Sequence, residues 1–197
     1  DLYNEGLRTL QIDDCTWGCL VDDDFIASFI EKSDRDKEVI RHEFAEKFLN
    51  INNRVFQNNP KDLVINTHVC RGNYASTWFG QGGYDKIADE LFGKEDVNAY
   101  YLEFDTERAG TFESLAKVSG EKKVVLGLIT SKNPTLEEKE VIIARIKEAS
   151  KYVPLDRLYL SPQCGFASTE EGNRLTEEEQ WAKLRFIKEI ADEVWGK

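Results

Sequence analysis

His68 and Cys70 flank a single valine in the stretch NTHVC (66–70). In an extended segment, residues two apart project from the same face, so this pair can present an imidazole and a thiolate to one ion. Cys164 and a carboxylate, Glu103 or Asp105 of LEFD (102–105), would complete an N, S, S, O donor set. Taken singly, each has an ordinary reading: a strand cysteine is usually a small buried apolar residue, and a histidine usually serves as a hydrogen-bonding group. Taken together, thiolates with imidazole select zinc among common cytosolic metals. Two thiolates and a carboxylate place about three negative charges on a divalent ion, which makes it a poor electrophile for activating water. Such a centre is better suited to holding an incoming thiol as a reactive thiolate. The chemistry implied is nucleophilic attack by a substrate sulfur, not hydrolysis.

The elements that must position these residues are legible as five short apolar runs: 7–12, 63–69, 99–104, 123–129 and 157–160. Between them lie helical patterns. Residues 38–55 carry Val39, Phe44, Phe48, Ile51 and Val55 at three-to-four spacing, and 84–92, 112–118, 136–149 and 177–194 repeat the theme. Thr176 followed by Glu179 is a capping-box signature for the last helix. Strict β-α alternation with near-continuous apolar strands predicts a parallel sheet covered by helices. An open doubly wound sheet and a (β/α)8 barrel both satisfy it, although no Gly-x-Gly-x-x-Gly follows the first strand. Every strand ends in polar residues: Asp13 and Asp14; His68 and Cys70; Glu103 and Asp105; Thr130, Ser131 and Lys132; Ser161, Gln163 and Cys164. In both architectures the active site lies at those C-terminal ends.

The remaining features set boundaries. A chain of 197 residues with a formal charge of −11 is expected to be one domain whose main partner is not nucleic acid. No apolar run approaches the ~20 residues of a membrane helix, and four scattered cysteines suggest reduced thiols in the cytoplasm. Cys15 and Cys19 read as structural or incidental, His42 as solvent-facing, Asp22–Asp24 as a solvated loop, and Glu177–Glu179 as a helix N-terminus where acids suit the dipole. The opening residues resemble the last turn of a helix and methionine is absent throughout, which suggests a piece of a longer protein.

The motifs LQIDD (10–14), NTHVC (66–70), LEFD (102–105) and SPQCGFAS (161–168) resemble the C-terminal catalytic barrel of cobalamin-independent methionine synthase. HVCRGN, STWF, GGYDKIADELFG and LGLITSK are similar to its shorter single-barrel bacterial relatives in particular. The resemblance implies a (β/α)8 barrel, of which residues 1–197 supply the C-terminal part, about five β/α units. It implies zinc held by His68, Cys70, Glu103 and Cys164, with Asp105 the competing carboxylate, and no cobalamin. It also implies homocysteine as the thiol, bound by its amino group to Asp13 with Asp14 beside it, and methyltetrahydrofolate or a simpler compound as methyl donor. Asp105 and Ser161 are further expected substrate contacts. One departure stands out: the family's Ile-His-Ser-Pro segment, whose histidine assists proton transfer, is replaced by TSKNP (130–134), which puts Lys132 near that position as a catalytic cation or an anion binder. Two other functions follow from the same residues, a thiol alkyltransferase with a different donor and a zinc-binding barrel without catalysis.

Overall fold

The computed structural model describes residues 1–30 and 34–196. Five strands, β1 (Thr9–Asp13), β2 (Val64–Val69), β3 (Ala99–Glu103), β4 (Lys123–Ile129) and β5 (Leu158–Pro162), form one sheet in that order, and every pairing is parallel. Strands that neighbour in sequence also neighbour in space along the whole sheet. A doubly wound sheet would reverse its strand order partway, so this winding is that of a (β/α)8 barrel. The chain therefore has the expected α/β fold, as five consecutive β/α units of such a barrel, with β1 and β5 at the sheet edges.

Alternation along the strands separates core from site. Ile65, Val69, Tyr100, Leu102, Val124, Leu126, Leu128 and Leu158 point outward into the helix layer and are buried there. Asp13, His68, Glu103, Gly127 and Ser161 occupy the opposite face in linked register, with Asp13 beside His68, Glu103 beside Gly127, and Gly127 beside Ser161. The bond of Gln163 N to Ile129 O at 2.8 Å follows a register shift in which β4 carries one extra residue against β5. That offset turns the end of β5 inward. Gly127 permits the crowding there, since a Cβ would lie 2.6 Å from Leu102 O and 2.8 Å from Gln163 Cα.

The helices are α1 (Thr16–Val21), α2 (Asp23–Ile30), α3 (Lys37–Phe56), α4 (Ala88–Lys94), α5 (Lys139–Ala149) and α6 (Glu177–Trp195). The capping box is present at α6, with Thr176 and Glu179 bonded reciprocally. Three expectations are corrected. Residues 112–118 form a 3₁₀ helix, Phe112–Lys117, rather than an α-helix. On α3 Phe44 and Phe48 pack against the core as expected, but the fully buried residues are Ile40, Arg41, Ala45, Leu49 and Phe56, and Val39, Ile51 and Val55 face outward. The buried Arg41 and the small Ala45 lie on the inner face, so apolarity alone set the stripe slightly off its true centre. Asp22–Asp24 is not a solvated loop: Asp22 is buried and its carboxylate accepts from Asp24 N and Phe25 N, capping α2, and from Gln81 N. Asp23 pairs with Arg41 at 2.6 Å and Lys86 at 3.0 Å. His42 is solvent-facing as expected, with Glu90 at 3.0 Å from its Nδ1. Among the described residues no helix is long and apolar enough to cross a membrane.

Candidate metal centre

His68, Cys70, Glu103 and Cys164 converge at the strand ends. One donor atom from each lies within 4.8 Å of all the others. Zinc bonds of roughly 2.0–2.3 Å put the donors of one ion about 3–4 Å apart, so small side-chain movements would let a single ion span this group. Of the two carboxylates left open by the sequence, Glu103 is in the cluster and Asp105 is not. Asp105 instead pairs with Arg108 at 2.9 Å.

The imidazole supplies the clearest test of fit. His68 Nδ1 meets Asp13 Oδ1 at 2.9 Å, which fixes the ring. Its Nε2 is buried without a hydrogen-bond partner, and Glu103 Oε1 stands 3.5 Å away as an electrostatic contact only. A carboxylate on the far nitrogen and an unpartnered near nitrogen are the arrangement of a metal-binding histidine.

Glu103 is held from several sides. Its Oε1 accepts from Arg71 N at 3.0 Å, and its Oε2 meets Arg108 at 3.1 Å and Gln163 Nε2 at 3.5 Å. Tyr84 braces its backbone, accepting from Glu103 N at 3.0 Å. Tyr84 in turn is clamped in an aromatic chain with Phe104 at 5.1 Å and Phe92 at 5.8 Å, and Arg71 lies 4.3 Å over its ring. The helix layer thus packs directly against a residue of the candidate centre. Gly18 does the same for Cys70: a Cβ there would lie 2.3 Å from Cys70 O, so α1 seats on the β2 end only because residue 18 has no side chain.

Left to the protein's charges alone, the cluster separates charge internally. Burial would lower the pKa of His68, but Asp13, Glu103 and Cys164 outweigh it and raise the value to about 10. A hydrogen bond from Cys70 pulls Cys164 down to about 6, and the same bond with burial pushes Cys70 up. Burial would raise Glu103, but His68, the Arg71 amide and Arg108 together hold it below the usual carboxylate range. All four cysteines are free thiols.

The structure places the other expected site residues unevenly. Asp13 remains two-thirds exposed at its side chain, so it holds His68 and still faces solvent. Ser161 lines a cavity of about 210 Å³ together with His68 and Cys164. Lys132 is buried near the centre, its Nζ bonded to Asn73 Oδ1 at 3.1 Å. Asp14 points elsewhere: Asn52 Nδ2 bridges its Oδ2 and Glu95 Oε1 at 2.7 Å each, and its Oδ1 accepts from Thr16 N. Sequence reasoning missed Arg71, Tyr84, Arg108 and Asn73. Arg71 had one available signal, its place directly after Cys70.

Comparisons with known proteins agree with this geometry. Residues 1–193 match the family model described as cobalamin-independent synthase, catalytic domain. The chain is 45% identical over 194 residues to the uncharacterized protein YxjG of Bacillus subtilis (strain 168), covering 98% of this chain and 50% of that one. It is 29% identical over 103 residues to the methionine synthase of Pyrococcus horikoshii, covering 52% of this chain and 27% of that one. The chain spans about half the length of the most similar of these curated relatives. Among solved structures, a putative vitamin-B12-independent methionine synthase from Listeria monocytogenes superposes with a TM-score of 0.72 at 38% identity, over 99% of this chain and 51% of that one. A B12-independent methionine synthase from Shewanella sp. W3-18-1 shares the fold, with a TM-score of 0.67 at 20% identity, over 98% of this chain and 50% of that one. With its strand-end cluster, its barrel winding and a family match across nearly its whole length, the chain belongs to the cobalamin-independent methionine synthase family, in its catalytic domain.

Proposed function

We propose that this chain is the C-terminal portion of a single (β/α)8 catalytic barrel that transfers a methyl group to a thiol without cobalamin, and that the thiol is homocysteine and the product methionine. The observation that carries the reading is the convergence of His68, Cys70, Glu103 and Cys164 beside a cavity sized for a small thiol. These four would hold zinc, which when bound lowers a thiol's pKa and keeps it as a thiolate at neutral pH.

The chain's own residues would do the rest. Asp13 fixes the His68 ring through Nδ1 while its exposed carboxylate is available to a substrate ammonium group. Arg71, Arg108 and Tyr84 hold Glu103 in place so that it need not reorganise when a ligand arrives. Ser161 lines the thiol cavity, and Lys132, bonded to Asn73, supplies a buried cation in the wall of a neighbouring cavity. Lys132 also favours a second reading, in which the methyl donor is a compound other than methyltetrahydrofolate, because it stands where the family resemblance leads one to expect histidine. A non-catalytic zinc store would not need an exposed Asp13 carboxylate at the mouth of the site. Four free thiols fit a reducing compartment, and we take the protein to be cytoplasmic.

The test is the metal content of the purified protein, followed by methionine formation from homocysteine with methyltetrahydrofolate and with simpler donors. The reading expects about one zinc per chain, lost in Cys70→Ser and Cys164→Ser. Far less than one ion in the unsubstituted protein would overturn it.

A further inference from the structure

His68 and Glu103 lie on paired strands and Cys70 follows β2 directly, but Cys164 lies two residues past the end of β5. The sheet's last hold before it is Gln163 N, bonded to Ile129 O at 2.8 Å. From there the loop 164–176 is placed by side chains, and one of them meets three loops at once. Asn173, half-buried, donates from Nδ2 to Ser131 O after β4 at 2.8 Å and to Gly165 O, next to Cys164, at 3.3 Å. Its Oδ1 accepts from Ser76 N, in the loop after β2, at 3.0 Å. Asn73 brings a second donor to Gly165 O at 2.7 Å and bonds Ser168 Oγ at 2.8 Å. Ser168 Oγ in turn lies 3.9 Å from Cys164 Sγ.

The loop after β2 is strained where it meets Asn173. Tyr74 and Thr77 exchange backbone hydrogen bonds at 3.3 and 2.8 Å, and both residues between them have positive φ, 43° at Ala75 and 68° at Ser76. Turns of this hand normally use Gly, Asn or Asp, because a Cβ crowds the backbone there. Such a conformation persists only where its surroundings over-determine it. Here Asn173 Oδ1 accepts from Ser76 N, and Ser76 Oγ accepts from Arg174 N at 2.7 Å. We propose that Asn173 is a positioning residue of the candidate centre: its amide clasps the loops after β2, β4 and β5 and so holds Cys164 among the other donors. Asparagine suits the task because one short side chain offers an acceptor and two donors. What Cys164 is held for rests on the zinc reading; the clasp itself does not.

Alkylation of individual cysteines by iodoacetamide, read by peptide mass spectrometry with and without zinc, tests it. Zinc should protect Cys70 and Cys164, while the exposed Cys15 reacts throughout as the internal reference. In zinc-loaded Asn173→Ala, Cys164 should react about tenfold faster than in the unsubstituted protein, the equivalent of one hydrogen bond, while Cys70 stays protected. Asn173→Asp, which keeps the acceptor for Ser76 N and loses both donors, should expose Cys164 as Asn173→Ala does. If the single variant folds poorly, Ala75→Gly in the same chain relieves the turn without restoring the clasp and should give the same selective reaction. Cys164 protected in Asn173→Ala as fully as in the unsubstituted protein, or Cys70 and Cys164 released to the same extent, would overturn the positioning role and leave the zinc reading standing. Protection of neither cysteine in the unsubstituted protein would overturn the zinc reading, and with it the assignment of the clasp to a metal centre.

Discussion

Asp13 on β1 reaches its sheet neighbour His68 on β2 and meets Nδ1 at 2.9 Å, which leaves Nε2 facing Glu103 and the two sulfurs. The carboxylate that the family resemblance assigns to substrate binding thus also orients a donor of the proposed centre. Removing such a partner typically weakens metal binding 10–100-fold, so Asp13→Asn should lower zinc affinity by about that range. Competition with a chromogenic chelator measures it. Unchanged affinity would show that the Asp13–His68 contact does not position the ring.

Zinc binding should release protons. His68, raised to about 10, and Cys70, pushed up by Cys164 and burial, both carry protons at pH 7.5, whereas Cys164, lowered to about 6, does not. The account expects about two protons released per ion, and an affinity that rises with pH. Calorimetry in buffers of different ionisation enthalpy counts them. A release near zero would contradict the charge state derived for the cluster.

Glu95 is fully buried, and its pKa is raised to about 7, first by burial and then by the nearby Asp14, against lowering bonds from Asn52 and Trp17. An acid whose folded pKa exceeds its unfolded one binds its proton more tightly when folded. Its contribution is therefore complete below the unfolded value of 4.5 and disappears as pH rises through about 7. Integrated over that window, ~3 kcal/mol of stability should be lost. Glu95→Gln keeps the acceptor for Asn52 and should flatten the profile in urea unfolding between pH 4.5 and 7.5. A profile of the same slope in the variant would place the effect elsewhere.

The backbone beneath Cys70 offers a structural prediction. Gly18→Ala would drive a methyl into Cys70 O and force α1 away from the end of β2. Overpacking of this kind costs typically ~1–3 kcal/mol, and here the displaced backbone belongs to a donor of the centre. The variant should both melt earlier and bind zinc more weakly. Loss of stability with unaltered zinc affinity would show that α1 does not set the position of Cys70.

Much of this arrangement could be read from residue types and spacing, because strands and their C-terminal ends obey a two-residue period and a fixed polarity. His68, Cys70 and Cys164 were placed that way, with the carboxylate open between Glu103 and Asp105; the family resemblance named Glu103, and the four converge. The short helices α1 and α2 went unread, since Trp17, Leu20 and Val21 span too few turns to show a period. On α3 Phe44 and Phe48 were read correctly and Val39, Ile51 and Val55 were not, because Arg41, a charged residue, occupies the buried face, paired with Asp23 and bonded to Leu20 O. Asp14 sits at a strand end like Asp13, but the next position on a strand faces the other way, toward Asn52 on α3. Arg71 and Arg108, which hold Glu103, were invisible for a related reason. A buried arginine is recognisable only once its partners are in place.

X-ray absorption at the zinc edge tests the central claim most directly. In the zinc-loaded protein the account predicts a first shell of two sulfurs with one nitrogen and one oxygen, from Cys70, Cys164, His68 and Glu103, and a gain of one sulfur when homocysteine is added. A shell that lacks the two sulfurs, or one that homocysteine leaves unchanged, would contradict it.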